Sequence, residues 1–205
     1  MKLNMKNNLA QIGAQAVLAL VAASGLVLLP GCAGPKQARE PVQSGFLTHY
    51  CQLEQVDDTT WRHINSTDLG HYEKFRIGDV KVLTTYFGGK PLSEETRQKA
   101  EGYVREAITK ALSDRYSVVT TSGLDVADIR VAITAAYKTG NHLGLTVESE
   151  IVDSRSLVQL AAVMRTDVSD SYFSDYWDGP AGRQLANAWA SNLRKAIDAS
   201  RGHKP

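Results

Sequence analysis

The sequence is poor in the residues that would make several function classes easy to recognise. Its 205 residues contain two cysteines, too few for a disulfide-built scaffold or a four-cysteine zinc site. Neither charge sign is in excess. The chain has 23 Lys+Arg against 22 Asp+Glu, so it lacks the basic surplus on which nucleic-acid binding usually rests, and no nucleic-acid partner is expected. No internal repeat is visible, which excludes a solenoid. The hydrophobic content of 43% is ordinary for a globular protein, and the length suits one domain with an appendage.

What is present begins at the N-terminus. Lys2 and Lys6 form a short positive region, and no acidic residue occurs before Glu40. Ala16 to Leu29 carries no charge. That run suits a signal-peptide core and is short of the ~20 residues a bilayer span needs. A membrane anchor extended back through Ile12 is the alternative. Leu29-Pro30-Gly31-Cys32 decides against it, because it resembles the bacterial lipobox. That resemblance implies a lipoprotein signal peptide over 1–31, cleavage between Gly31 and Cys32, and acylation of the Cys32 thiol with palmitate-type chains. Apart from that covalent lipid no cofactor is expected. Several acyl chains anchor stably where one does not. Ala33 in place of an aspartate resembles an outer-membrane address, which implies a periplasm-facing lipoprotein. Residues 32–44 then read as the lipidated cysteine and its tether, with Gly34, Pro35 and Pro41 and no periodicity. Twelve extended residues reach up to about 40 Å.

The remainder, 45–201, reads as a single α+β domain with a tail at 202–205. Gly45 to Tyr50 is a short amphipathic opening in which Tyr50 and Leu53 pack. Trp61 to Asn65 and Phe75 to Leu83 alternate as strands, the second with a change of phase at Gly78-Asp79 that suggests a bulge. Gly88-Gly89-Lys90-Pro91 breaks the chain. Ser93 caps a helix that runs to Asp114, with Ala100, Tyr103, Val104, Ala107, Ile108, Ala111 and Leu112 on one stripe. Strands follow at 116–121 and 127–138, then a hairpin of 145–152 and 157–166 around Asp153-Ser154-Arg155-Ser156. A last helix starts at Gly179-Pro180, and its expected inner stripe is Leu185, Ala188, Trp189, Asn192, Leu193, Ala196 and Ile197. The expected architecture is a two-layer sandwich, a mostly antiparallel sheet with two amphipathic helices on one face.

Four blocks carry a family resemblance. They are Ser44 to Tyr50, Asp68 to Phe75 with Gly78-Asp79-Val80, Ile129 to Thr134, and Val147 to Arg155. In this order they resemble the DUF3313 family of bacterial lipoproteins of unknown function, over most of residues 44–170. Where related envelope lipoproteins usually place Thr-Gly after Asp-Ser-Arg, this chain has Ser156-Leu157. The resemblance implies an envelope lipoprotein and supplies no catalytic residue.

Residue chemistry adds little that is catalytic. His49, His63 and His71 match no zinc spacing, so no metal site is expected and surface or hydrogen-bonded histidines are the plain reading. Cys51 is the one thiol left in the mature chain. It is expected to be buried and inert, with pairing to a partner cysteine as the alternative. A Cys51–His49 nucleophile and base lacks a working geometry. Gly88-Gly89-Lys90 lacks the spacing of a phosphate loop. Glu148 and Glu150 share a strand face, which suggests a solvated or salt-bridged edge with Arg130, Arg155 or Arg165 as partners. The stretch 171–178 gathers Tyr172, Phe173, Tyr176 and Trp177, either capping the core or forming a candidate partner surface. The expectation is therefore a lipid-anchored, non-enzymatic accessory module that meets another envelope protein. A small-ligand or lipid-binding lipoprotein, with a groove between sheet and helices, is the alternative.

Overall fold

Ser93 closes the start of the longest well-capped helix by accepting a hydrogen bond from the Thr96 N–H, and Glu94 and Glu95 follow in the first turn. In the computed structural model, which describes residues 42–169 and 179–202, this is α2 (Glu94–Leu112). Its buried residues are Ala100, Val104, Ala107, Ile108 and Leu112, the stripe the spacing predicts. The order of elements is β1 (Glu54–Asp57), β2 (Thr60–Ile64), α1 (Ser66–Leu69), β3 (Lys74–Val82), β4 (Tyr86–Phe87), β5 (Lys90–Pro91), α2, β6 (Ser117–Val119), β7 (Val126–Thr139), β8 (His142–Asp153), β9 (Gln159–Val168) and α3 (Pro180–Ser200).

Seven strands form one sheet in the order β1-β2-β9-β8-β7-β3-β6, and β4 and β5 form a separate pair. The large sheet is mixed. β3 is parallel to both β6 and β7, and the other neighbours are antiparallel. The parallel pairs follow from α2, since parallel strands need a long crossover. Gly88 and Gly89, at φ 57° and 78°, make the two-residue turn between β4 and β5, a conformation that glycine adopts without steric cost.

The expected bulge exists. The β3–β7 register slips between Ile77 and Val80, and this brings Phe75, Val80 and Val82 into the same core despite their unequal spacing. That core joins the buried faces of α2 and α3 to Ile129, Val131 and Ile133 of β7 and to Leu145 and Ile151 of β8. α3 differs from its expected stripe. Ala181, Ala186, Ala190 and Asp198 are buried beside Leu185, Trp189 and Ile197, whereas Ala188 and Asn192 are exposed. The cause is that α3 packs on α2 as well as on the sheet, which widens and turns its buried arc.

Candidate functional site

Strand alternation sets Glu148 and Glu150 on one face of β8, opposite the face that carries Val147 and Ile151 into the core. Both are almost wholly buried, at 0% and 1% exposure. A strap, residues 44–50, lies across this second face and supplies their partners. Glu148 accepts hydrogen bonds from Ser44 N–H (3.0 Å), Ser44 Oγ (2.8 Å) and Tyr50 Oη (2.5 Å). Glu150 accepts from Thr48 N–H (2.8 Å), Thr48 Oγ1 (3.1 Å), Gln159 Nε2 (2.8 Å) and Arg130 (2.6 Å). Arg130 also lies 5.5 Å from the centre of the Phe46 ring. Burial, reinforced by the Glu148 hydrogen bond, pushes the Tyr50 hydroxyl above its ordinary value.

The shared face of the two glutamates is as the sequence implies, but the edge is not solvated. Of the three candidate arginines, Arg130 pairs with Glu150, while Arg165 pairs with Asp167 at 2.7 Å. Arg155 is engaged, among the described residues, through its backbone N–H with Asp153. All four carboxylate oxygens are occupied by the protein's own donors. Glu148 accepts three hydrogen bonds and Glu150 four, which is the arrangement of a group that fastens a segment.

The far end of β8 is fastened in a similar way. Asp153 Oδ1 accepts from the N–H groups of Arg155 (3.1 Å) and Ser156 (2.6 Å) and from Ser156 Oγ (2.8 Å). Tyr72 donates to Oδ2 at 2.8 Å. The Ser156 N–H is the main reason the Asp153 carboxyl is held down at about 2. Burial and the Asp153 hydrogen bond push Tyr72 up to about 12. Ser154 Oγ bridges the N–H and carbonyl of Gly123 at 3.1 and 3.0 Å. The four sequence blocks thus meet on β8. The strap holds Glu148 and Glu150, Tyr72 holds Asp153, and β7 is the paired neighbour.

A second cluster was missed by sequence reasoning. Tyr116 Oη donates to the buried Asp198 at 2.6 Å, and Arg194 donates to it from α3 at 2.8 Å. Burial opposes ionisation, yet these hydrogen bonds hold the Asp198 carboxyl below its usual range. Arg194 and Asp198 are four apart on a helix, and that ion-pair spacing is the one signal that could have found them.

Several expectations fall outside the described residues: Gly31 and Cys32, and the aromatic group Tyr172, Phe173, Tyr176 and Trp177. Cys51 is exposed and free, not buried as expected, because it sits on the turn after the strap rather than under it. His49 and His71 are exposed and His63 is half-buried. Among the described residues no three His, Cys, Asp or Glu side chains gather as metal ligands. Among the same residues no helix is long and apolar enough to cross a membrane.

No curated protein matches the chain. Solved structures similar to it include a PelC dodecamer from Paraburkholderia phytofirmans, at 12% identity, with 72% of this chain and 99% of that one covered and a TM-score of 0.42. Another is a candidate lipoprotein from Caulobacter crescentus CB15, at 11% identity, 68% and 97% coverage and a TM-score of 0.37. A third is a minor lipoprotein from Acinetobacter baumannii, at 14% identity, 63% and 95% coverage and a TM-score of 0.36. The model of one family, described as a protein of unknown function (DUF3313), matches residues 42–145, from the strap through β7 into β8, and the chain belongs to that family.

Proposed function

We propose that this chain is a lipid-anchored envelope lipoprotein of the outer membrane, facing the periplasm, whose folded part is a non-enzymatic module that meets another envelope protein. The observation that carries this reading is the engagement of every carboxylate oxygen of Glu148 and Glu150 by the protein's own donors. The two most buried carboxylates of the sheet are spent on fastening the strap to which the tether leads, and not on chemistry. The tether is thereby joined to a fixed point, Ser44, on the sheet face away from α2 and α3. The lipobox resemblance at Leu29 to Cys32 supports the anchor, and Ala33 supports the outer-membrane address.

Two measurements test the reading. Cys32→Ser is expected to abolish acyl labelling and to release the protein from the membrane fraction; a variant that stays labelled and bound overturns the anchor. Crosslinking in intact cells, followed by mass spectrometry, is expected to recover one recurrent envelope protein. Repeated recovery of none overturns the interaction role.

A further inference from the structure

The sheet face that meets the helices is not apolar throughout. Thr60, Arg62 and Ile64 share one face of β2, and Ala161, Val163 and Arg165 share one face of β9. The register sets Thr60 beside Arg165, Arg62 beside Val163 and Ile64 beside Ala161. Ile64 and Ala161 belong to the core under the helices, so both arginines stand on the helix side of the sheet. Closing a helix over two guanidinium groups would strip their water, at a cost that apolar packing does not offset. α3 instead walls one side of this corner and leaves it open.

The opening is a trough of about 920 Å³ whose walls include Arg62, Arg165, Asn192, Lys195 and Ile64. It shares Arg62, Ile64, Arg165, Asn192 and Ala196 with a narrower cavity of about 110 Å³ that reaches Ala161, Val163, Trp189 and Leu193. The trough is within the size range of small-molecule sites, and its inner end is apolar. Its cations outnumber its carboxylates, with Arg62, Arg165 and Lys195 against Glu54, which the β1–β2 register sets opposite Arg62. The Arg62 and Lys195 side chains have no ion-pair or hydrogen-bond partner among the described residues. Arg165 is neutralised by Asp167. Glu54 makes no ion pair with Arg62 among the described residues, and the Glu150 carboxylate lies on the opposite face of β8, committed to Arg130. Thr60, which lines the inner cavity, is buried, and its Oγ1 makes no hydrogen bond of ordinary length, with the Asp57 carboxylate its electrostatic neighbour.

We propose that this trough binds an acyl chain with an anionic headgroup. The chain end enters the apolar cavity beside Trp189 and Leu193, and the headgroup lies at Arg62 and Lys195. Charge complementarity selects the headgroup. A strand-adding peptide does not fit, because β2 is already paired on both sides and offers no free edge. This site goes beyond the anchor proposed above and does not depend on acylation of Cys32.

The test uses the full chain in phosphatidylcholine nanodiscs and two photoactivatable probes of equal length, a diazirine fatty acid and the matching diazirine fatty alcohol. After photolysis the fatty acid is expected to label segments 60–64, 161–165 and 189–196. Labelling there is expected to be about tenfold weaker with the alcohol, and about tenfold weaker in the Arg62→Ala/Lys195→Ala variant, as for loss of a charge-assisted contact. Equal labelling by both probes, or labelling confined to other segments, overturns the proposal. No labelling at all, as expected if a protein partner or a second copy fills the trough, overturns it too. A variant labelled like the parent does the same. Should the variant unfold, the two probes on the unaltered chain decide alone.

Discussion

Leu157 holds a backbone conformation that leucine rarely adopts, at φ 60°. Its Cβ then crowds the following carbonyl, which costs roughly 1–2 kcal/mol. This is the position where related lipoproteins are expected to carry glycine, and the turn keeps its form because Asp153 gathers three donors from Arg155 and Ser156. Leu157→Gly removes the crowding, while the looser unfolded chain returns part of the gain. The expected net effect is a stabilisation of about 0.5–1 kcal/mol, read as a higher urea midpoint at unchanged slope. An unchanged midpoint would show that the turn carries no strain. Gly144 is the opposite case. A Cβ there would stand 2.3 Å from the ring of Tyr137, its cross-strand partner. Gly144→Ala is expected to destabilise by about 1–3 kcal/mol through overpacking. In a Tyr137→Ala background the same change should cost little, so a double-mutant cycle reads the coupling directly.

The junction of α2, β6 and α3 turns on Tyr116. Its hydroxyl holds Asp198, its ring lies edge-on to Phe75 at 5.3 Å, and Arg194 approaches the ring within 5.4 Å. Burial and Asp198 push the tyrosine up to about 12, as burial and Asp153 do for Tyr72. A folded-state value raised above 10 means that the folded state favours the neutral phenol. The contribution is complete below pH 10 and is lost as pH rises through about 12. Asp153 acts in the other direction. Its value of about 2 lies below the ordinary 3.8, so its contribution holds above that value and is lost as pH falls toward 2. Urea unfolding across pH should therefore give a plateau with two shoulders, and Tyr116→Phe should lower the alkaline one to the part that Tyr72 contributes. An alkaline shoulder of unchanged height in that variant would remove Tyr116 as its source. This junction also marks where sequence reading stops. α2 was legible because its cap and stripe are local. The buried arc of α3 was not, because Asp198 is buried on account of a tyrosine 82 positions away. β1 was missed for a related reason. Its four residues are all exposed, so no alternation marks it.

At the scale of the molecule, the strap decides which face of the sheet is closed. Alternation showed that Glu148 and Glu150 share a face, but not that the face is buried, since the covering residues lie about a hundred positions earlier in the chain. Glu148 has hydrogen-bond donors and no salt-bridge partner among the described residues, so its burial depends on Ser44 and Tyr50. Ser44→Ala with Tyr50→Phe removes both side-chain donors and leaves the charge under the strap with one backbone N–H. The expected loss is about 3–5 kcal/mol, the scale for a buried charge deprived of its partners. Limited proteolysis should then cut first within 42–53 while the sheet stays intact, because the strap contributes few other buried side chains beyond Leu47. Adding Glu148→Met removes the stranded charge and keeps the volume, so much of the loss should return. Recovery in the triple variant identifies desolvation of Glu148 as the cost that the strap offsets. If the triple variant is no more stable than the double, the strap is held by its packing, and the two carboxylates are not what ties the tether to the sheet.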